Sequence, residues 1–252
     1  MTKNITIHKR NEIIRGTDFY SLNAKKCFNA IYYLYQKNRV ITTQYERTKI
    51  RYSSLRKCMN LESDNNYVAI INEAIKELQT TLITLNNFEI DETIYKWYST
   101  KFLNDAHVKK DDEIAVTLEI STFFKKMIIS QINFTKLDLV QYLNKFRTKY
   151  AMKLYEYLKS FGGYRYLDIS QNHLMRLLNL SEKSKYKYYS QLKILIERQI
   201  KELVTKSDLK KLKLSDNKKE KIFRFIIDPK AEKKTPSPKE LETALENIIK
   251  RF

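Results

Sequence analysis

Punctuation constrains this chain more than any other feature. Of its 252 residues only three are proline, and Pro229, Pro236 and Pro238 all follow residue 228. Only three are glycine, two of them adjacent at Gly162 and Gly163. Proline cannot continue a helix or a central strand, and glycine supplies most tight turns. A body almost free of both is expected to run in helices and short β-ribbons, with a turn at Gly162–Gly163. The prolines mark residues 229–252 as a linker followed by a short amphipathic tail, in which Leu241, Leu245, Ile248 and Ile249 recur at helical spacing. Scarce glycine also removes Gly-rich phosphate loops and the dinucleotide fingerprint, so the pattern calls for no nucleotide cofactor.

The remaining exclusions are brief. No run approaches ~18 apolar residues, so no membrane span is expected. The opening MTKNITIHKRNEII lacks the apolar core of a secretory signal. Cys27 and Cys58 are too few for a disulfide framework and lack metal-ligand spacing, which suits a reducing cytoplasm.

Charge is more informative by position than in total. The chain carries 48 basic and 29 acidic side chains, a formal +19. Lysines outnumber arginines 36 to 12, a bias that an AT-rich genome alone could supply. Such a bias would spread evenly, yet residues 1–130 hold +5 and residues 131–252 hold +14. Residues 183–224 alone hold 14 basic and 5 acidic side chains. Clustered positive charge is the footprint of a protein that binds phosphate backbones.

The two halves also resemble each other. CFNAIYYL (Cys27–Leu34), LRKCMNL (Leu55–Leu61) and AIKEL (Ala74–Leu78) are followed in the same order by AMKLYEYL (Ala151–Leu158), LMRLLNL (Leu174–Leu180) and QIKEL (Gln199–Leu203). Spacings differ by five or six residues, as expected when variation sits in loops. Three matches in order predict an internal duplication. Strand-like sequence follows each third helix. In the first half Ile94–Leu103 leads through Lys109-Lys110-Asp111-Asp112 into Ile114–Ile120, where Ile114, Val116, Leu118 and Ile120 alternate with polar or small residues. In the second half Leu209–Leu214 turns through Ser215–Lys219 into Lys221–Ile227. Three helices and a hairpin is the order of a winged helix. The expected fold is therefore mainly α with β-hairpins (α+β), as two tandem winged helices at residues 1–132 and 133–228.

The second copy carries the candidate DNA-reading surface. A helix over Lys183–Lys206 would turn Tyr189, Leu192, Leu195, Ile196, Ile200 and Leu203 inward, and Lys187, Ser190, Gln191, Ile194, Arg198 and Lys201 outward. Such a face suits the major groove, where Lys and Arg meet phosphates or guanine and Gln can read adenine. Base edges are met mainly by the N-terminal turns of a recognition helix. The expected DNA contacts are therefore Lys183, Ser184, Lys185, Lys187, Ser190, Gln191, Lys193 and Arg198, with Lys210, Lys211, Lys213, Lys218, Lys219 and Lys221 on the wing. The first copy differs. Its third helix, Asn66–Leu85, turns Glu73, Lys76, Glu77 and Gln79 outward, and its hairpin is rich in Tyr95, Trp97, Tyr98 and Phe102. A nearly neutral, aromatic hairpin points to protein partners or self-association. Catalysis finds no constellation. His8, His107 and His173 are isolated, Asp111 and Asp112 sit in a charged turn, and the eighteen tyrosines lack a paired Arg and His set.

KRNEIIRGTDFYSLNAKKCFNAIYYLYQK, FRTKYAMKLYEYLKSF and YYSQLKILIERQIKELVTKSDLK together resemble the initiator replication proteins of theta-replicating, iteron-bearing plasmids, over about residues 9–228. The resemblance implies two winged helices, the second making the principal base contacts and the first serving dimerisation and accessory DNA contact. It implies a monomer on direct repeats at a plasmid origin that helps open AT-rich DNA and recruits the host initiator and replicative helicase. It also implies a dimer that represses its own gene. Carried over by position, Lys183–Arg198 is the recognition helix and Lys210–Lys221 its wing, with Ile194 departing from the polar residue expected there. A dimeric winged-helix regulator and a nicking or recombining enzyme using a tyrosine are the competing readings.

Overall fold

The computed structural model describes residues 5–18, 20–38, 47–90, 93–110, 114–129, 134–139, 142–181 and 183–228. The proline linker, the tail and the Asp111–Asp112 turn lie outside these residues. The chain divides into two compact units. One gathers residues up to Ile13, Asp18–Thr84 and Ser99–Lys149; the other gathers Ile14–Thr17, Leu85–Tyr98 and Tyr150 onwards.

The first part of the chain runs β1 (Thr6–Arg10), α1 (Asn11–Arg15), β2 (Thr17–Asp18), α2 (Leu22–Asn38), β3 (Thr48–Arg51), α3 (Tyr52–Cys58), α4 (Tyr67–Thr80), β4 (Leu82–Ile90), β5 (Thr93–Lys101), β6 (Leu103–His107), β7 (Ala115–Ile120), α5 (Thr122–Ile129) and β8 (Phe134–Asp138). Phe28 of α2 centres an aromatic core, its ring 4.3 Å from that of Phe102 and 5.8–5.9 Å from those of Tyr20, Tyr32 and Phe124. Ser21 starts α2: its hydroxyl accepts from the Ala24 N–H at 3.2 Å. The Glu77 carboxylate accepts from both the N–H and the hydroxyl of Ser21. Glu77, expected to face outward, thus ties α4 to the start of α2, where the helix dipole favours an anion.

The second part runs α6 (Lys149–Lys159), β9 (Tyr166–Ser170), α7 (Gln171–Leu177), a 3-10 turn at Lys185–Lys187, α8 (Tyr189–Lys206), β10 (Lys213–Asn217) and β11 (Ile222–Ile226). Its three-stranded sheet has the order β10-β11-β9, and a corresponding sheet in the first unit has the order β6-β7-β3. In each, the strand leading into the second helix pairs antiparallel with the last strand of the wing. The first N–H of that helix then reaches the residue just before that last strand: Tyr52 to the Ile114 carbonyl at 3.0 Å, and Gln171 to the Lys221 carbonyl at 2.9 Å.

The helices α3 and α7 also end alike. Leu61 N–H donates to the Arg56 carbonyl (3.0 Å) and Leu180 N–H to the Met175 carbonyl (2.8 Å). Between each donor and its helix sits an asparagine in the left-handed region, Asn60 at φ 58° and Asn179 at φ 50°. This is the Schellman stop, in which a residue tolerant of positive φ lets the chain fold back on the last carbonyls. The shared M-N-L and L-N-L sequences are therefore the same structural device.

One strand expectation changes. Of the run from Ile94 to Leu103, only Leu103 pairs with Ile114–Ile120, opposite Ile120. The chain bends at fully buried Phe102, so β5 pairs back with β4 in a separate hairpin and β6 supplies the partner of β7. Within β7, Val116, Leu118 and Ile120 are buried as the alternation predicted, but Ile114 precedes the strand and is 68% exposed.

Candidate nucleic-acid interface

The helix α8 begins at Tyr189, six residues later than its periodicity predicted. Serines explain the delay. Ser184 donates its hydroxyl to the Ser181 carbonyl at 2.6 Å, and Ser181 accepts from the Lys183 N–H at 3.1 Å. Such local bonds offer the backbone an alternative to helix, so Lys183 and Ser184 lie in the approach and Lys185–Lys187 in the 3-10 turn. Beyond Tyr189 the two faces separate as expected. Leu192, Leu195, Ile196, Ile200 and Leu203 are buried, while Ser190, Ile194, Arg198 and Lys201 are exposed and Gln191 is half-buried.

The wing is fastened to the start of this helix. Tyr189 stacks on Phe223 with ring centroids 4.7 Å apart. Its hydroxyl donates to Asp216 Oδ2 at 3.0 Å and reaches the Ile222 carbonyl at 3.3 Å. Lys193 Nζ lies 2.8 Å from Asp216 Oδ1. Asp216 is the penultimate residue of β10 and Ile222 opens β11, so the intervening wing tip with Lys218, Lys219 and Lys221 stands at the N-terminal end of α8. Gln171 completes the joint: with its backbone N–H on the Lys221 carbonyl, its side-chain amide donates to the Lys187 carbonyl at 2.6 Å. One buried residue thus holds the pre-helix turn and the base of the wing together.

The predicted contacts therefore do not all lie together. Lys183, Ser184, Lys185, Lys187, Ser190, Gln191, Lys218, Lys219 and Lys221 lie at or beside one end of α8, and every lysine among them is exposed. Arg198 is exposed about two turns further along. Lys210 and Lys211 follow the other end, roughly 25 Å of helix axis away. There Lys210 Nζ donates to the Val204 and Thr205 carbonyls at 3.2 and 2.9 Å, capping the helix C-terminus. Lys193 points its ammonium at Asp216 and so steadies the wing. Gln171 and Asp216 escaped the sequence reading. Ser170 caps α7 by accepting from the His173 N–H at 3.3 Å, which places Gln171 as the first residue of that helix.

Titration of the joint has a defined window. The Lys193 ammonium, hydrogen-bonded to Asp216, holds that carboxyl below its ordinary 3.8. Loss of solvent, reinforced by Asp216, pushes the Tyr189 hydroxyl up to about 12. A depressed carboxylate contributes stability above its unfolded value and loses it as pH falls through the folded one; a raised phenol contributes below its unfolded value and loses it as pH rises. The stability difference between the unaltered chain and Asp216→Asn should thus be constant from about pH 5 to 8 and shrink below about 4, as read from urea midpoints.

The three histidines are occupied locally. His8 stacks on Phe134 at 4.6 Å, His107 Nδ1 lies 3.4 Å from Asp105, and His173 Nε2 lies 2.9 Å from the Tyr157 hydroxyl. Among the described residues no group of three or more His, Cys, Asp or Glu is placed to hold a metal ion, and no helix is long and apolar enough to cross a membrane.

A family model described as initiator replication protein, WH1, matches residues 6–159. The chain belongs to the initiator replication protein family. That family consists of DNA-binding replication initiators, so binding at an origin is its common property. Among solved structures, domains 2 and 3 of RctB superpose with a TM-score of 0.50 at 12% identity, over 82% of each chain. That likeness shows the fold. The WH1 domain of MSBI1.176, a replication protein isolated from a multiple sclerosis patient, aligns over 43% of this chain and 85% of its own, with a TM-score of 0.30 and 10% identity. No curated protein matches this initiator's sequence.

Proposed function

We propose that this chain is a plasmid replication initiator that binds direct repeats at its origin as a monomer, without covalent chemistry on DNA. The observation that carries the reading is the joint built by Gln171, Tyr189 and Asp216. It sets an exposed basic turn, the first turns of α8 and a basic wing tip at one end of one helix. A recognition helix can then enter the major groove while wing and turn meet flanking phosphates. The matched sheet orders and Schellman stops support two winged helices related by duplication. In the same reading, melting of adjacent AT-rich DNA and recruitment of the host initiator and helicase follow binding. Self-association for autorepression falls to the first half of the chain, where strand β5 leaves Trp97 64% exposed and α4 has no basic excess.

The test is a footprint on the DNA flanking the gene. Protection of tandem repeats of about two helical turns supports the initiator, whereas protection of a lone inverted repeat supports a regulator. With the protected duplex in hand, Gln191→Ala and Lys187→Ala are expected to weaken specific binding. Lys218→Ala should weaken specific and nonspecific binding alike and lower the log–log salt slope by about 0.9, one phosphate contact. Unchanged titrations for all three variants would remove α8 and its wing from the interface.

A further inference from the structure

One residue on the outward face of α8 does not fit a purely polar reading surface. Ile194 is 44% exposed in the middle of that face. At ~100° per residue it lies within about 60° of Ser190, Gln191, Glu197, Arg198 and Lys201, all outside the core except half-buried Gln191. It is five residues past the start of the helix, roughly 7.5 Å along the axis, within the turns that reach base edges in a major groove. A lone exposed isoleucine on a protein surface needs no explanation. Here, however, the surrounding charge determines what can lie over it. The basic turn at Lys185–Lys187 and the wing tip at Lys218–Lys221 flank the same end of the helix, which disfavours a basic or neutral apolar protein partner and favours a polyanion. The apolar group that double-stranded DNA offers in its major groove is the 5-methyl of thymine. Isoleucine suits that contact because β-branching confines its χ1 in a helix, so its methyls are presented without much rotamer freedom to lose.

We propose that Ile194 is a specificity-determining residue that selects a thymine by packing on its 5-methyl group, beside the base read by Gln191. The inference rests on the duplex-binding reading above and names the base that one side chain chooses. It predicts an essential thymine in each binding site whose contribution comes from the methyl group rather than from a hydrogen bond.

The test uses the full-length chain and a pool of random-sequence duplexes. Rounds of selection first establish whether any sequence is enriched. Failure of enrichment would sink the duplex-reading function, and this inference with it. With an enriched duplex, each thymine is replaced in turn by deoxyuridine, which removes only the methyl, and by 5-bromodeoxyuridine, whose bromine matches a methyl in size. The unaltered chain should lose about fourfold in affinity at one position on removal of the methyl, the effect of burying about one such group, and regain it with bromine. Ile194→Ala should bind all three bases equally at that position, while Ile194→Val, which keeps a branched apolar surface, should retain the discrimination. Alanine favours helix more than isoleucine does, so the Ile194→Ala variant should melt no earlier than the unaltered chain. An enriched duplex with no methyl-sensitive thymine overturns the inference alone. So does a sensitivity that survives unchanged in Ile194→Ala.

Discussion

Replacing Lys185, Lys187, Lys218 and Lys219 together with alanine is expected to lower the log–log salt slope of DNA binding by about 3.6, four phosphate contacts at about 0.9 each. At 0.15 M salt that slope corresponds to about a thousandfold in affinity. All four side chains are exposed, two in the turn before α8 and two at the wing tip. Their removal empties no core, so thermal midpoints should hardly move. Lys187 contributes to the joint through its carbonyl, which receives the Gln171 amide and survives the substitution. The comparison variant is Lys210→Ala. Its ammonium caps the far end of α8, so a small stability loss with an unchanged slope is expected. A quadruple variant whose slope falls by less than about one unit would place the phosphates elsewhere on the molecule.

That variant also bears on what the net charge means. The total of +19 counts every lysine equally. Lys9, Lys25, Lys125 and Lys153 are nevertheless buried, with Lys9 Nζ on the Asn29 carboxamide oxygen at 3.0 Å and Lys153 Nζ on the Gly16 carbonyl at 2.6 Å. These four add to the sum without being placed to meet a phosphate. The regional excess in the second half differs in kind, because Lys183, Lys185, Lys187, Lys218, Lys219 and Lys221, which contribute to it, are exposed.

How much could be read in advance depended on the range of the interaction. The core face of α8 was legible from Leu192 to Leu203 because a 3.6-residue period is a local property. The paired stops at Asn60 and Asn179 were legible as a repeat, although their Schellman geometry was not. The start of α8 was misplaced because Ser181 and Ser184 compete for the backbone, an effect that hydrophobic periodicity does not register. The division of the aromatic run at Phe102 depends on where α2 and α5 place Phe28 and Phe124. The strand pair β1–β8 joins Ile7 to Leu137 across most of the first unit, a separation that no local pattern reports. Gln171 shows the same limit at the site itself. Its residue type is unremarkable, and its role comes from meeting Lys187 and Lys221 only after the sheet has formed.

Phe223→Ala is expected to destabilise the second unit by about 3–5 kcal/mol, the usual range for truncating a buried aromatic. Phe223 is fully buried in β11, opposite Ile169 of β9 and Asp216 of β10, with Tyr189 stacked on its ring. Domains of this size retain only about 5–15 kcal/mol in all, so the urea midpoint should fall steeply and DNA affinity should fall with it. Tyr189→Phe separates the two roles of the joint. It keeps the stacked ring and loses only the hydroxyl bonds to Asp216 and Ile222, a cost of about 1 kcal/mol. Asp216 then retains Lys193 as its partner, so the fold should persist with a looser wing. Specific binding should weaken in that variant while nonspecific binding, set by exposed lysines, stays close to its original value. If Tyr189→Phe instead weakens both in proportion, wing and helix do not have to be held in register for recognition. The Gln171–Tyr189–Asp216 joint would then be a device of folding alone.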